Sequence, residues 1–146
     1  MSSPISISIS IEAPAEDVWS ELERVEDHVE WMADAVAIDF VTEQRRGVGT
    51  SFRCATKVGP LRTTDLMTIT EWDDGRSMGV IHQGAVSGEG RFELSADPDG
   101  GTKVTWTENL KFPIWMGGGL GAWVARPVFH WIWRRNLDRL RLKVMG

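Results

Sequence analysis

Three ionisable side chains, Asp65, His82 and Glu108, occupy positions where the surrounding alternation is apolar. In "VTWTENLKF" the residues Val104, Trp106, Glu108, Leu110 and Phe112 share one face of an expected strand. In "TTDLMTI" Asp65 lies on the face of Met67 and Ile69, and in "SMGVIH" His82 follows Met78 and Val80. A carboxylic acid in apolar surroundings keeps its proton to higher pH unless it is paired, and an imidazole beside it gives or takes a proton near neutrality. Together the three have the makings of a proton-transfer set. A plainer role suits the same residues: Asp65 and Glu108 point outward or pair across strands with Arg53, Arg62 or Arg91, and His82 simply hydrogen-bonds. Both readings stand at this level. Cys54, alternating with Phe52, Thr56 and Val58, has no adjacent base and reads as a small core residue rather than a nucleophile.

The elements that must position these groups are legible in order. "PISISISI" sets Ile5, Ile7, Ile9 and Ile11 against Ser6, Ser8 and Ser10, the period of a strand with one buried face. "APAEDVWSELERV" reads as a short helix, with Pro14 and the acids Glu16 and Asp17 at its start and Val18, Trp19 and Leu22 on its apolar stripe. "DHVEWM" predicts a second short helix. From 49 to 112, extended runs separated by Gly59 and Pro60, "DDGR" and "DPDGG" predict an antiparallel meander, which Gly88 and Gly90 allow to curl. From about Leu120 to Val144 the period becomes helical: Phe129, Trp133, Leu137, Leu140 and Val144 form one stripe, with Leu120, Val124, Val128 and Ile132 beside it. The expected architecture is α+β: about seven antiparallel strands in a curved sheet gripping a long C-terminal helix, with two short helices between the first and second strands.

Length and charge narrow the function classes. A chain of 146 residues suits one domain, 1–146, with a core that needs no metal or disulfide. Net charge −5 lacks the basic footprint of a nucleic-acid binder. The single cysteine and an N-terminus without a basic, apolar leader predict a cytoplasmic protein, and the scattered His28, His82 and His130 match no metal signature. No cofactor is expected, and the sequence sets no oligomeric state.

The stretch "FPIWMGGGLGAWVARPVFHWIW", 112–133, is long enough to span a bilayer, but Arg126, His130, two prolines and an amphipathic continuation oppose a transmembrane reading. Contact with a membrane surface remains compatible with its tryptophans. Gly117, Gly119 and Ala122 match G-x-G-x-x-A, yet no second strand follows to complete a dinucleotide site. The glycines read instead as a flexible approach to the last helix. Pro127 either starts that helix or kinks it.

"IEAPAEDVWSEL", "GVGTSFRCATKVGP", "TITEWDDGRSM" and "GGTKVTWTENLKFP" resemble the START-like or SRPBCC superfamily, which includes polyketide cyclases and dehydratases and lipid-transfer domains. The resemblance implies a helix-grip scaffold with an internal apolar cavity. By strand alternation that cavity would be lined by Phe52, Cys54, Met67, Ile69, Val80, Phe92, Trp106 and Leu110, with Trp123, Pro127, His130 and Trp131 from the helix. Trp31 and Trp115, in a short helix and beside the glycines, would join Trp123 and Trp131 as rim or lid. The function so implied is binding or transport of a small hydrophobic ligand such as a lipid, polyketide or aromatic. An alternative is a cofactor-independent cyclase or dehydratase in which Asp65, His82 and Glu108 move protons on a bound ketone. A third is an interaction module that docks on a protein or membrane surface.

Overall fold

The computed structural model describes residues 4–146, so Met1 to Ser3 of the expected span lie outside the described residues. The Ile–Ser alternation forms strand β1, Ile5–Ile11, with every Ile buried and every Ser exposed. Helix α1, Ala15–Leu22, follows Pro14 at its N-cap and buries Val18, Trp19 and Leu22. The second short helix is a 3-10 segment, Val25–Glu30, tightened where His28 Nε2 donates to the Leu22 carbonyl at 2.7 Å.

The meander then builds β2 (Ala35–Phe40), β3 (Ser51–Val58), β4 (Leu61–Asp73), β5 (Ser77–Gln83), β6 (Ser87–Ala96) and β7 (Thr102–Lys111). These strands and β1 make one antiparallel sheet of seven strands in the order β1-β7-β6-β5-β4-β3-β2. Register shifts between Ala35 and Ala37 and between Ile69 and Glu71 bend the sheet, since a bulge adds local twist to its strand. The result is an open, curved sheet.

Gly117, at φ 93°, turns the chain from a 3-10 turn, Ile114–Met116, into helix α2, Gly118–Met145. The helix thus begins well before Pro127, which does not start it. Trp133, Leu137 and Leu140 of α2 are buried in the core, while Phe129 and Val144 pack against it. Each fully buried leucine contributes about 1.5–3 kcal/mol relative to exposure. Polar contacts fix the rotation of α2: Asp34 accepts from Asn136 Nδ2 at 2.7 Å and from Trp133 Nε1 at 3.3 Å, and Asn136 Oδ1 accepts the Ala33 N–H at 3.0 Å. No helix among the described residues is long and apolar enough to cross a membrane.

Candidate functional site

Between the concave face of the sheet and α2 lies a cavity of about 130 Å³. Strands β3 to β7 supply Phe52, Cys54, Asp65, Met67, Val80, His82, Phe92, Trp106, Glu108 and Leu110 to its wall, and α2 supplies Phe129 and Trp133. The alternation that places these side chains inward is the one read from the strands. The antiparallel registers bring them together: Cys54 pairs with Asp65, Met67 with His82, and Phe92 with Trp106.

Glu108 is buried and held on both carboxylate oxygens. Trp106 Nε1 donates to Oε1 at 3.0 Å, and His82 Nε2 lies 2.9 Å from Oε2. Its cross-strand partner is Gly90, where an added Cβ would sit 2.5 and 2.6 Å from those oxygens. The glycine therefore makes the room in which the carboxylate lies flat against β6. Arg91 is not available to Glu108, because it pairs with Glu71 at 3.0 Å and with Glu93 at 2.6 Å on the outer face.

Burial penalises a charge on His82, but the Glu108 carboxylate, by charge and by hydrogen bond, and Asp65 outweigh it and raise the imidazole above its ordinary value. With Nε2 committed to Glu108, Nδ1 is the nitrogen left for a bound molecule. The neutral ring accepts a proton there and the cation donates one. Asp65 is also buried, and burial raises its carboxyl above the usual range against the pull of His82. Its Oδ1 has no hydrogen-bond partner among the described residues. An unsatisfied buried oxygen costs about 1–3 kcal/mol, so a ligand hydroxyl or N–H that donates to it recovers that cost. Burial pushes the Cys54 thiol up to about 11, which leaves it a neutral wall residue rather than a nucleophile.

The His82–Glu108 pair predicts a pH response. Because the folded imidazole titrates above 6.5, its proton adds stability that is full below pH 6.5 and is lost as the pH rises through the folded value. In Glu108→Gln the larger of the supporting charges is gone, and burial is expected to carry the His82 midpoint below 6.5. The stability contribution then reverses sign, falling as the pH drops. NMR titration of the ring protons checks this; a midpoint unchanged in Glu108→Gln would remove Glu108 as the cause.

Several sequence-derived placements are corrected. Trp31 is fully buried with its ring centroid 5.0 Å from His28 and 5.8 Å from Phe92, so it is core rather than rim. Ile69 is also fully buried and lies outside the cavity lining. On α2, Pro127, His130 and Trp131 face solvent, because the sheet grips the side that carries Phe129, Trp133, Leu137 and Leu140 and leaves the opposite side outside. Trp115, 72 % exposed, stands off the cavity on the 3-10 turn. Trp123, 69 % exposed, edges a separate groove of about 450 Å³ that shares Glu108, Leu110, Phe112 and Phe129 with the inner chamber. His28 and Met32 line the chamber without having been expected there. The one available signal was their helical spacing from Val25, at three and seven residues, on the side of the turn away from Glu26 and Glu30.

Among the described residues no group of His, Cys, Asp and Glu is arranged to hold a metal ion. A family model described as polyketide cyclase / dehydrase and lipid transport matches residues 4–144. No curated protein matches the sequence. Solved structures with the same fold include TTHA0849 from Thermus thermophilus, 20 % identical over 98 % of this chain and 97 % of that one, with a TM-score of 0.77. Ara h 8.0201 is 14 % identical over 99 % of both chains, at 0.72. The di-domain ARO/CYC BexL from the BE-7585A biosynthetic pathway is 16 % identical over 99 % of this chain and 50 % of its own, at 0.77.

Proposed function

The chain belongs to the polyketide cyclase / dehydrase and lipid transport family, and from that premise we propose that its cavity binds a small apolar molecule bearing a carbonyl or hydroxyl at one end. The observation that carries this reading is a buried apolar chamber whose polar end holds an oriented His82–Glu108 pair and an unpartnered Asp65 oxygen. Size decides what fits. At about 130 Å³ the chamber is close to the ~150 Å³ apolar cavity that takes benzene, so a ring is a better fit than a lipid chain. A longer ligand would continue into the adjoining groove, and the two spaces together reach the roughly 300–1,000 Å³ of drug-sized sites.

Native mass spectrometry of the purified protein tests for a retained apolar molecule. Quenching of tryptophan fluorescence by α-tetralol, a bicyclic alcohol, and by its hydrocarbon tetralin tests the polar end. The alcohol, whose O–H can donate to the Asp65 oxygen, is expected to bind up to about tenfold more tightly than the hydrocarbon, the value of one net hydrogen bond, with the preference lost in Asp65→Val. Absence of a retained molecule together with no quenching by either probe defeats the reading.

The 2.9 Å His82–Glu108 contact favours one second reading, an enzyme of the cyclase or dehydratase class. In its neutral form His82 takes a proton from the carbon beside a ketone, the enolate carbon bonds to a second carbonyl of the same molecule, and the resulting alkoxide takes the proton back from His82. Loss of water from the product completes a dehydration. Conversion of a linear diketone to a dehydrated ring, absent in His82→Phe, separates this reading from binding alone.

A further inference from the structure

A solvent-facing helix face is ordinarily polar, but the outer face of the first half of α2 is not. Leu120 (71 % exposed), Trp123 (69 %), Val124 (59 %), Val128 (49 %) and Trp131 (62 %) fall at helical spacing on one side, and Ile114 and Trp115 of the preceding turn stand out at 93 % and 72 %. Scattered exposed apolar residues need no explanation, whereas a continuous apolar stripe of this kind marks a contact surface. We propose that this face docks on an anionic lipid bilayer.

Charge selects the bilayer over other occupants. The chain carries net charge −5, yet from Leu110 to Leu137 it holds Lys111, Arg126, Arg134 and Arg135 and no Asp or Glu. Arg134 and Arg135 follow the apolar stripe by one turn; Arg134 Nε lies 3.9 Å from Asp138, the first acid after this stretch, and the Arg135 guanidinium lies 5.0 Å from the centre of the Trp131 ring. Tryptophan at the headgroup boundary with arginine beside it is the composition of an interfacial helix. A second copy of this chain would bring the same cations face to face, which opposes self-association through this surface. Trp123 and Arg126 also edge the groove that adjoins the inner chamber, so docking sets that groove against lipid. Passage of a ligand between bilayer and chamber rests on the binding function proposed above; docking itself does not.

The test is sedimentation with vesicles, without any cavity ligand, so that its failure leaves the ligand reading standing. Binding to vesicles of phosphatidylglycerol mixed with phosphatidylcholine is expected to exceed binding to pure phosphatidylcholine, and each cation removed should weaken it about fivefold. Arg134→Gln with Arg135→Gln should therefore lose most of the gain, as should high salt. Trp115→Ala, Trp123→Ala and Trp131→Ala combined should abolish binding, with circular dichroism and the melting temperature close to those of the parent because all three rings are mainly exposed. Equal binding by this folded triple variant overturns the proposal, as does no binding to either vesicle. A dimer in sedimentation equilibrium that the same three substitutions dissolve would assign the face to a second copy and overturn it too.

Discussion

Between pH 6.5 and about 4 the fold is expected to lose roughly 3 kcal/mol through one residue, His28. Burial holds this imidazole down to about 4, while its Nε2–H donates to the Leu22 carbonyl at 2.7 Å. Above pH 6.5 the ring is neutral in both folded and unfolded chains and the effect is absent. Below 6.5 the unfolded chain takes a proton that the fold refuses until about pH 4. At about 1.4 kcal/mol for each pH unit, that interval gives the stated loss, a large share of the 5–15 kcal/mol a domain commands. His82 works in a different window, losing its contribution above 6.5, so stability is expected to peak near the ordinary imidazole value. Urea denaturation at a series of pH values checks this. His28→Gln, which keeps a donor but cannot titrate, should begin less stable at neutral pH because its packing on Trp31 and Phe92 is gone. Its acid slope should then be shallower by most of the predicted loss. Parallel curves for the two proteins would show that the charge on His28 is not what unfolds the chain in acid.

The sheet was legible because its signal is local. A period of two with one apolar face leaves a strand no second choice, since a one-residue slip would expose every isoleucine of β1. For the same reason the inward set Phe52, Cys54, Asp65, Met67, Val80, His82, Phe92, Trp106, Glu108 and Leu110 could be read without coordinates. The helix was harder, because α2 carries two apolar stripes and only tertiary packing chooses between them. The sheet takes Phe129, Trp133, Leu137 and Leu140, and Asp34 locks that choice through Asn136 and Trp133. The capping of Asp34 by groups on α2 links residues 99 and 102 positions apart, a separation that no periodicity reports. Gly90 illustrates the other limit. In sequence it signals a bend, while in the structure it also vacates the space that the Glu108 carboxylate fills.

Trp106 joins core and site, and its replacement is expected to damage both. The residue is 4 % exposed, its ring stacked 5.2 Å from Trp133, tilted 4.9 Å from Phe92 and edge-on to Trp31 at 6.2 Å. Trp106→Ala should cost about 3–5 kcal/mol in the core alone. It also leaves Glu108 Oε1 without the donor now at 3.0 Å. Trp106→Phe keeps an aromatic ring in the core but removes the N–H together with part of the indole, and the lost hydrogen bond alone is expected to cost about 1–3 kcal/mol. If that loss comes from the stranded carboxylate, it should shrink once the carboxylate itself is gone. The Trp106→Phe and Glu108→Gln cycle is therefore expected to show a coupling of about 1–2 kcal/mol, with the single Trp106→Phe variant also moving the His82 titration. Additive losses and an unmoved His82 would mean that Trp106 serves packing alone. Coupled losses would mean that the aromatic core sets the geometry of the proton-bearing pair, so the chamber's chemistry could not be retuned without repacking the fold around it.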